Sequence, residues 1–440
     1  MHFASFSPFI LGIHILMRGA IMYFLVGIKG SGMAALALIL SDLGYEVAGS
    51  DESKYYFTED KLRERKIKIY PFSKSNIKEG YIYIIGNAFE EGIEATKIKE
   101  CGYPYYKYHE FIGKFFEGKK IAVSGTHGKT TTTTLLKDMF SAKKICYLIG
   151  DASGKGCPNY EYFIFEACEY KNHFLAYSPD VLIINNIELD HVDFFKNVKE
   201  VFKSFSKLAN QSKIVIVNGD DKYASKIKHH NKITFGFKKK NDAIIEIIDQ
   251  RNGYIIIIYY NNEKYRFILP FTGLHMIYNF ASSFLAALTC GIGLDEINQA
   301  LINFKLPKRR MNILSYGKSF LVDDYAHHPT EIKALYQALK QKFPNYPLRV
   351  IFQSHTYSRT FCFKKDFVKA LMLFDEAYVD KVFSSKREKE NDTLEKKVNK
   401  AFKMFPHFNL DVLNRIKKDE KAVWIFMGAG TVNEYIKVIK

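Results

Sequence analysis

The chain has 440 residues, 47% hydrophobic and 25% charged, and 64 Lys and Arg against 47 Asp and Glu give a net charge of +17. That length can bury two or three cores, and the balance is that of an ordinary soluble protein, with no repeat at solenoid period and no low-complexity tract. The basic residues are spread along the chain apart from short runs such as Lys238 to Lys240, so no nucleic-acid partner is expected, and the positive field suits anionic substrates.

Residues 1–21 are apolar with a single Arg18 and no basic stretch ahead of them. This is the wrong order for a signal peptide, so they read as an upstream-start extension or a loosely packed arm. No other stretch is long and apolar enough to cross a bilayer. Six cysteines without a C-x-x-C pair point to a reducing, cytoplasmic compartment. From Met22 a short apolar run leads into Gly27-Ile28-Lys29-Gly30-Ser31-Gly32-Met33, a helical segment, and a second strand ending at Asp51. A glycine turn between strand and helix that closes on an acid binds a nucleotide or its pyrophosphate, or is simply a turn without ligand; the spacing is not that of the dinucleotide motif. Further strands near Ile82 to Ile85 and Ile121 to Val123 bracket helical segments, so a first α/β domain spans 22–118.

The strongest signal follows: Ile121-Ala122-Val123, then Ser124-Gly125-Thr126-His127-Gly128-Lys129-Thr130-Thr131, then an amphipathic helix. Gly125 and Gly128 allow successive amides to face inward, Lys129 can reach a terminal phosphate, and Thr130 offers a hydroxyl to Mg²⁺. The usual first glycine would fall at Val123, so this is a shortened phosphate loop. Two buried strands next end in polar residues, Glu166 to Tyr170 and Asn185 to Asp193. Glu166 and His191 should therefore face the phosphate loop and, with Thr130, ligate one or two divalent cations, Mg²⁺ being favoured by oxygen donors and phosphate. Between about 232 and 270, β-branched runs parted by Asn-rich turns predict hairpins on a small antiparallel sheet. Gly273-Leu274-His275 opens a helix carrying Asn279. Lys308-Arg309-Arg310 could clamp phosphate or be a solvated charge cluster. A last α/β region starts with Leu321 to Glu331, with Pro329 and Thr330 at a helix start, continues through Val350-Ile351-Phe352, and ends in a strand from Val423 to Phe426 before Gly428.

Six ordered motifs together resemble the Mur ligases of peptidoglycan synthesis over Met22 to the C-terminus: 27–33, 125–131, Glu-Ala-Cys-Glu-Tyr at 166–170, Asn-Ile-Glu-Leu-Asp-His at 186–191, Asp-Asp-Tyr-Ala-His-His-Pro-Thr-Glu at 323–331, and His-Thr-Tyr-Ser-Arg-Thr at 355–360. The resemblance implies three α/β domains: a Rossmann-like UDP-sugar domain at 22–118, a central phosphate-loop ATPase domain at 119–312, and a Rossmann-like C-terminal domain at 313–440. It implies that ATP phosphorylates the lactyl carboxylate of UDP-N-acetylmuramate and that the amine of L-alanine attacks the acyl phosphate, in a monomer or homodimer without integral membrane contact. Lys129, Glu166 and His191 then match catalytic positions, and Thr130, Glu166 and His191 the Mg²⁺ ligands. Gly125 to Thr131 with Asn279, Arg310 and Asp324 match the ATP site. Gly27, Gly30, Ser31, Gly32 and Asp51 match the UDP-sugar site, and Tyr325 and Arg359 positions around the incoming alanine. Met276, Ser354 and Thr431 depart from the family pattern, and Met276 lacks the amide of the asparagine usual at its place. The rival readings are a muramyl-peptide or folylpolyglutamate-type ligase, or a nucleotide-binding regulator without turnover.

Overall fold

The structure, a computed structural model, describes residues 21–251, 253–383, 388, 392–418 and 421–439; apart from Ile21, the extension expected at 1–21 lies outside them. The chain divides into two compact units. One holds the described residues up to Val123 with Phe140–Ala167 and His173–Val181; the other holds Ser124–Met139, Cys168–Asn172 and the described residues from Leu182 onward.

In the first unit, β1 (Met22–Val26), β2 (Glu46–Asp51), β3 (Lys68–Pro71), β4 (Tyr81–Ile85) and β5 (Tyr105–Lys107) form a parallel sheet in the order β3-β2-β1-β4-β5. Tyr23 to Val26 are buried without interruption, the mark of a strand covered on both faces. The chain leaves β1 to one side for β2 and β3, then returns to the other side for β4, so the turn after β1 lies at a topological switch point. Helix α1 (Ser31–Asp42) starts there, with Gly30 at its N-cap. A Cβ on Gly32 would lie 2.5 Å from the Tyr108 hydroxyl, so a side chain at position 32 would collide with that ring.

The same unit contains β6 (Lys119–Ser124), β7 (Ile145–Ile149), β8 (Ser153–Lys155) and β9 (Tyr162–Glu166), in the order β6-β9-β7-β8. Val123, the last residue before the phosphate-loop segment, registers with Glu166.

In the second unit β10 (Val181–Ile184), β11 (Ile214–Asn218), β12 (Lys232–Gly236), β13 (Ala243–Asp249), β14 (Tyr254–Tyr260) and β15 (Glu263–Leu269) follow one another in space as in sequence. The expected hairpins are present, but the antiparallel run begins only at β13. β12 pairs in parallel with β11, and β13 with β12. The cause is a side chain far upstream: the Asp220 carboxylate accepts the amides of Phe237 and Lys238 and the Asn241 amide group, curling 237–242 so that β13 sets out in the direction of β12.

Helix α2 (Lys129–Met139) contains four buried threonines, Thr131 to Thr134, residues whose branching disfavours a helix. Tertiary bonds hold it: Ser283 on α3 (Leu274–Thr289) donates to the Thr132 carbonyl, and Asn185 to the Thr132 hydroxyl. The C-terminal sheet orders β16 (Asn312–Tyr316), β17 (Ser319–Asp324), β18 (Leu348–Phe352), β19 (Glu376–Val379) and β20 (Val423–Met427) as β16-β17-β20-β18-β19, parallel except for edge strand β16. Helix α4 (Pro329–Lys342) follows β17, and α5 (Tyr357–Cys362) follows β18.

Candidate active site

The phosphate loop keeps its two glycines for different reasons. Gly128 has φ +84, and a Cβ there would stand 2.4 Å from the Asn279 side-chain oxygen, so only glycine fits. Gly125, with φ +137, packs against Asn185 and Asn186. The Lys129 ammonium folds back over the loop, donating to the Gly125 carbonyl, to the Thr126 carbonyl at 3.1 Å and to Glu169 Oε2 at 3.1 Å.

Glu169 is 1% exposed. One oxygen takes Lys129; the other, Oε1, has no hydrogen-bond partner and lies 3.8 Å from His191 Nε2. His191 has φ +51, a strained backbone for a non-glycine residue, and is held there by its amide bond to Asp190 Oδ1 and by packing of its ring on Tyr170. Asp190 is in turn gripped by one edge of the buried Arg359 guanidinium, whose Nε and Nη2 donate to its two oxygens at 2.7 and 3.1 Å. Although burial opposes it, Arg359 and His191 hold the Asp190 carboxyl well below the usual carboxylate range.

A second knot surrounds His127, whose ring nitrogens lie 3.2 Å from Glu331 and 3.4 Å from Glu188. Burial lowers the pKa of this imidazole, but the two carboxylates outweigh it and raise the value to about 10. Glu188 is correspondingly held at about 2 against the pull of burial, chiefly by His127. His327 and His328 lack that surplus of acid and are lowered to about 4 by burial. The loop histidine is thus an imidazolium, and its two neighbours on the approach to α4 are neutral.

Beside the loop is a cavity of about 360 Å³ bordered by His275, Met276, Asn279, Arg310 and Asp324, within the range of small-ligand sites. Asp324 is raised to about 6 by burial, and accepts the Met311 and Ala326 amides. The paired arginines separate here. Arg309 is committed to Asp323 and to the carbonyls of Gly428 and Gly430, whereas Arg310 borders the cavity with Glu331 3.8 Å away.

Of the residues singled out in the sequence, Lys129 and His191 converge on Glu169, and His127, Asn279, Arg310, Asp324 and Thr131 border one cavity. Tyr325 lies under both guanidiniums, with ring centroid 5.1 Å from Arg309 and 5.3 Å from Arg310. Arg359, expected near the alanine carboxylate, is occupied by the carboxylate of Asp190. Thr130 sits in the first turn of α2, where its carbonyl accepts Thr134. In the first unit Glu166 accepts the Gly150 amide at 2.6 Å, and Asp51 accepts the Lys29 amide at 2.7 Å, closing the turn that holds Gly27, Gly30 and Ser31. Sequence reasoning gave no role to Glu169, Glu188 or Glu331. Each stands in a motif already noted, the first two just past strand ends and the third in the first turn of α4; the last position is ordinarily explained by the helix dipole.

A glycine turn with Gly128-Lys129-Thr130 at a strand end, beside a cavity, is the arrangement of a phosphate-loop nucleotide-binding protein. Family models for the Mur ligase catalytic domain, middle domain and glutamate ligase domain match residues 23–120, 123–287 and 309–429. The chain belongs to the Mur ligase family. It is 39% identical to the UDP-N-acetylmuramate--L-alanine ligase of Lactiplantibacillus plantarum, covering 96% of this chain and 99% of that one, and 39% identical to the enzyme of that name from Lacticaseibacillus casei, covering 94% and 97%. Among solved structures it is similar to the UDP-N-acetylmuramate-alanine ligase of Thermotoga maritima, with a TM-score of 0.78, 26% identity, and 95% and 98% of the two chains covered. No helix among the described residues is long and apolar enough to cross a membrane.

Proposed function

We propose that the protein joins L-alanine to UDP-N-acetylmuramate at the expense of ATP, in the cytoplasmic stage of peptidoglycan synthesis. The observation that carries the mechanism is the Lys129 ammonium, poised between the loop carbonyls and Glu169. ATP enters the cavity beside Asn279 and Arg310, and its phosphates displace the loop carbonyls from Lys129. The ammonium then faces the γ-phosphoryl group, whose negative charge it offsets as the substrate carboxylate attacks phosphorus and ADP leaves. Phosphate becomes the leaving group of the acyl phosphate, and the alanine amine forms the amide bond after losing a proton.

Donor chemistry fits a divalent cation: a buried carboxylate oxygen without a hydrogen bond, Glu169 Oε1, stands beside His191. Thr130 and His191 would help to hold Mg²⁺. When bound, it supplies charge neutralisation between phosphate and acyl oxygens. Arg359 acts chiefly on this site by fixing Asp190, and through it the His191 backbone. Gly30, Ser31, Gly32 and Asp51 receive the UDP moiety at the start of α1. Asn87 and His109 in the same unit each keep a buried polar atom without a hydrogen bond, and are further candidates for sugar-nucleotide contacts.

A panel of L-alanine, glycine, L-serine and a tripeptide with UDP-N-acetylmuramate and ATP, read by phosphate release and product mass, tests this. L-alanine should be the best acceptor by kcat/KM. Preference for the tripeptide, or ATP turnover indifferent to every acceptor, would overturn it.

A further inference from the structure

Cys168, Glu169 and His191 each offer a donor atom, and the three atoms lie within 4.8 Å of one another. They are sulfur, carboxylate oxygen and imidazole nitrogen. In a tetrahedral Zn²⁺ site with bonds of about 2.0–2.3 Å the donors stand roughly 3.4–3.8 Å apart, so modest side-chain movement would close this set around an ion. Glu169 Oε1 is the independent sign of a missing partner: it belongs to a residue 1% exposed, accepts no hydrogen bond, and lies 3.8 Å from His191 Nε2. Cys168 is exposed, giving an ion a path from solvent and leaving a fourth position for water or a phosphate oxygen. Lys129, 3.1 Å from the other Glu169 oxygen, balances part of the charge that a thiolate and a carboxylate bring together.

We propose that Cys168, Glu169 and His191 form a site for a thiophilic divalent cation of the Zn²⁺ type beside the phosphate loop. A thiolate selects Zn²⁺, Co²⁺ or Cd²⁺ over Mg²⁺, which prefers oxygen. The Cys168 proton goes to solvent as the metal–sulfur bond forms, and nothing is oxidised. Binding claims His191 and Glu169, so it competes with Mg²⁺; that competition, unlike the binding itself, rests on the role given to His191 above.

The test is titration of the full chain with Co²⁺ as spectroscopic probe, with nucleotides and Mg²⁺ absent. A sulfur-to-Co²⁺ charge-transfer band should appear, be erased by equimolar Zn²⁺, vanish in Cys168→Ser and persist in Cys362→Ser, which removes the other exposed thiol. Glu169→Gln should weaken Co²⁺ binding by at least about tenfold, since even indirect support of a metal ligand is worth that much. A band absent from the wild type, or kept by Cys168→Ser and lost in Cys362→Ser, would overturn the site. An excess of Mg²⁺ should raise the apparent Kd for Co²⁺; an unmoved Kd would overturn the competition. Failure of the acceptor panel would remove the proposed reaction and leave the Co²⁺ spectrum untouched.

Discussion

In the turn after β1, Lys29 is buried against Glu59 at 2.7 Å and donates to the carbonyls of Glu52 and Lys54, while Asp51 takes the Lys29 amide. In the turn after β6, by contrast, the charged groups come from distant segments, and two polar atoms, Glu169 Oε1 and His328 Nε2, are left without hydrogen bonds. Both turns join a strand to a helix through glycines, and sequence alone ranks them only by motif strength. What separates them is unfinished hydrogen-bonding capacity. A turn whose charges are spent on its own backbone can offer a ligand little beyond helix N-terminal amides, whereas one that gathers buried, incompletely paired groups is built for an ionic partner.

Breaking each turn should have a different signature. Lys29→Met leaves Glu59 buried with the Tyr56 amide and the largely exposed Arg63 as its partners, and urea unfolding should show a loss of about 3–5 kcal/mol, as for other half-removed buried pairs; a loss below about 1 kcal/mol would mean the pair is not structural. Lys129→Ala should lower turnover by about 10²-fold, equivalent to roughly 2.7 kcal/mol of transition-state stabilisation, and because it strips the cation from buried Glu169 the rate is compared at a temperature where urea unfolding shows the variant still folded. Near-normal turnover would remove the lysine from the chemistry.

The pH dependence sharpens the contrast at lower amplitude. The folded value of about 10 for His127 lies above its ordinary 6.5, so its stabilisation is complete below 6.5 and drains away as pH rises toward 10. Glu188, at about 2 against 4.5, stabilises fully above 4.5 and loses that contribution as pH falls toward 2. The Tm difference between wild type and His127→Asn should therefore peak between pH 4.5 and 6.5 and shrink on either side; a difference flat with pH would contradict the imidazolium assignment. The smallest effect concerns Met276, 3% exposed at the cavity wall. Met276→Asn should tighten ATP binding about 2–10-fold if its amide completes one hydrogen bond, measured by calorimetry. No change would mean the cavity is shaped around the thioether.

Much of this was legible beforehand because it is encoded locally. Gly128-Lys129-Thr130 after a β-branched run marks a strand, turn and helix start, and Pro329-Thr330 marks the start of α4. The parallel pairing of β12 was not legible, because it follows from Asp220 binding amides of 237 and 238. Nor was the commitment of Arg309 to the Gly428 and Gly430 carbonyls while its neighbour Arg310 borders the cavity, since both side chains have the same chemistry and differ only in direction.

The sequence by itself determined where strands hand over to glycine turns and which family the motifs spell out, since each of these depends on residues a few positions apart. Only the tertiary structure decided that Arg359 is spent on Asp190, 169 positions away, and that Glu169, not named in advance, links Lys129 to His191. Charged groups choose partners by distance and by what burial leaves unsatisfied, and neither quantity exists until the chain has folded.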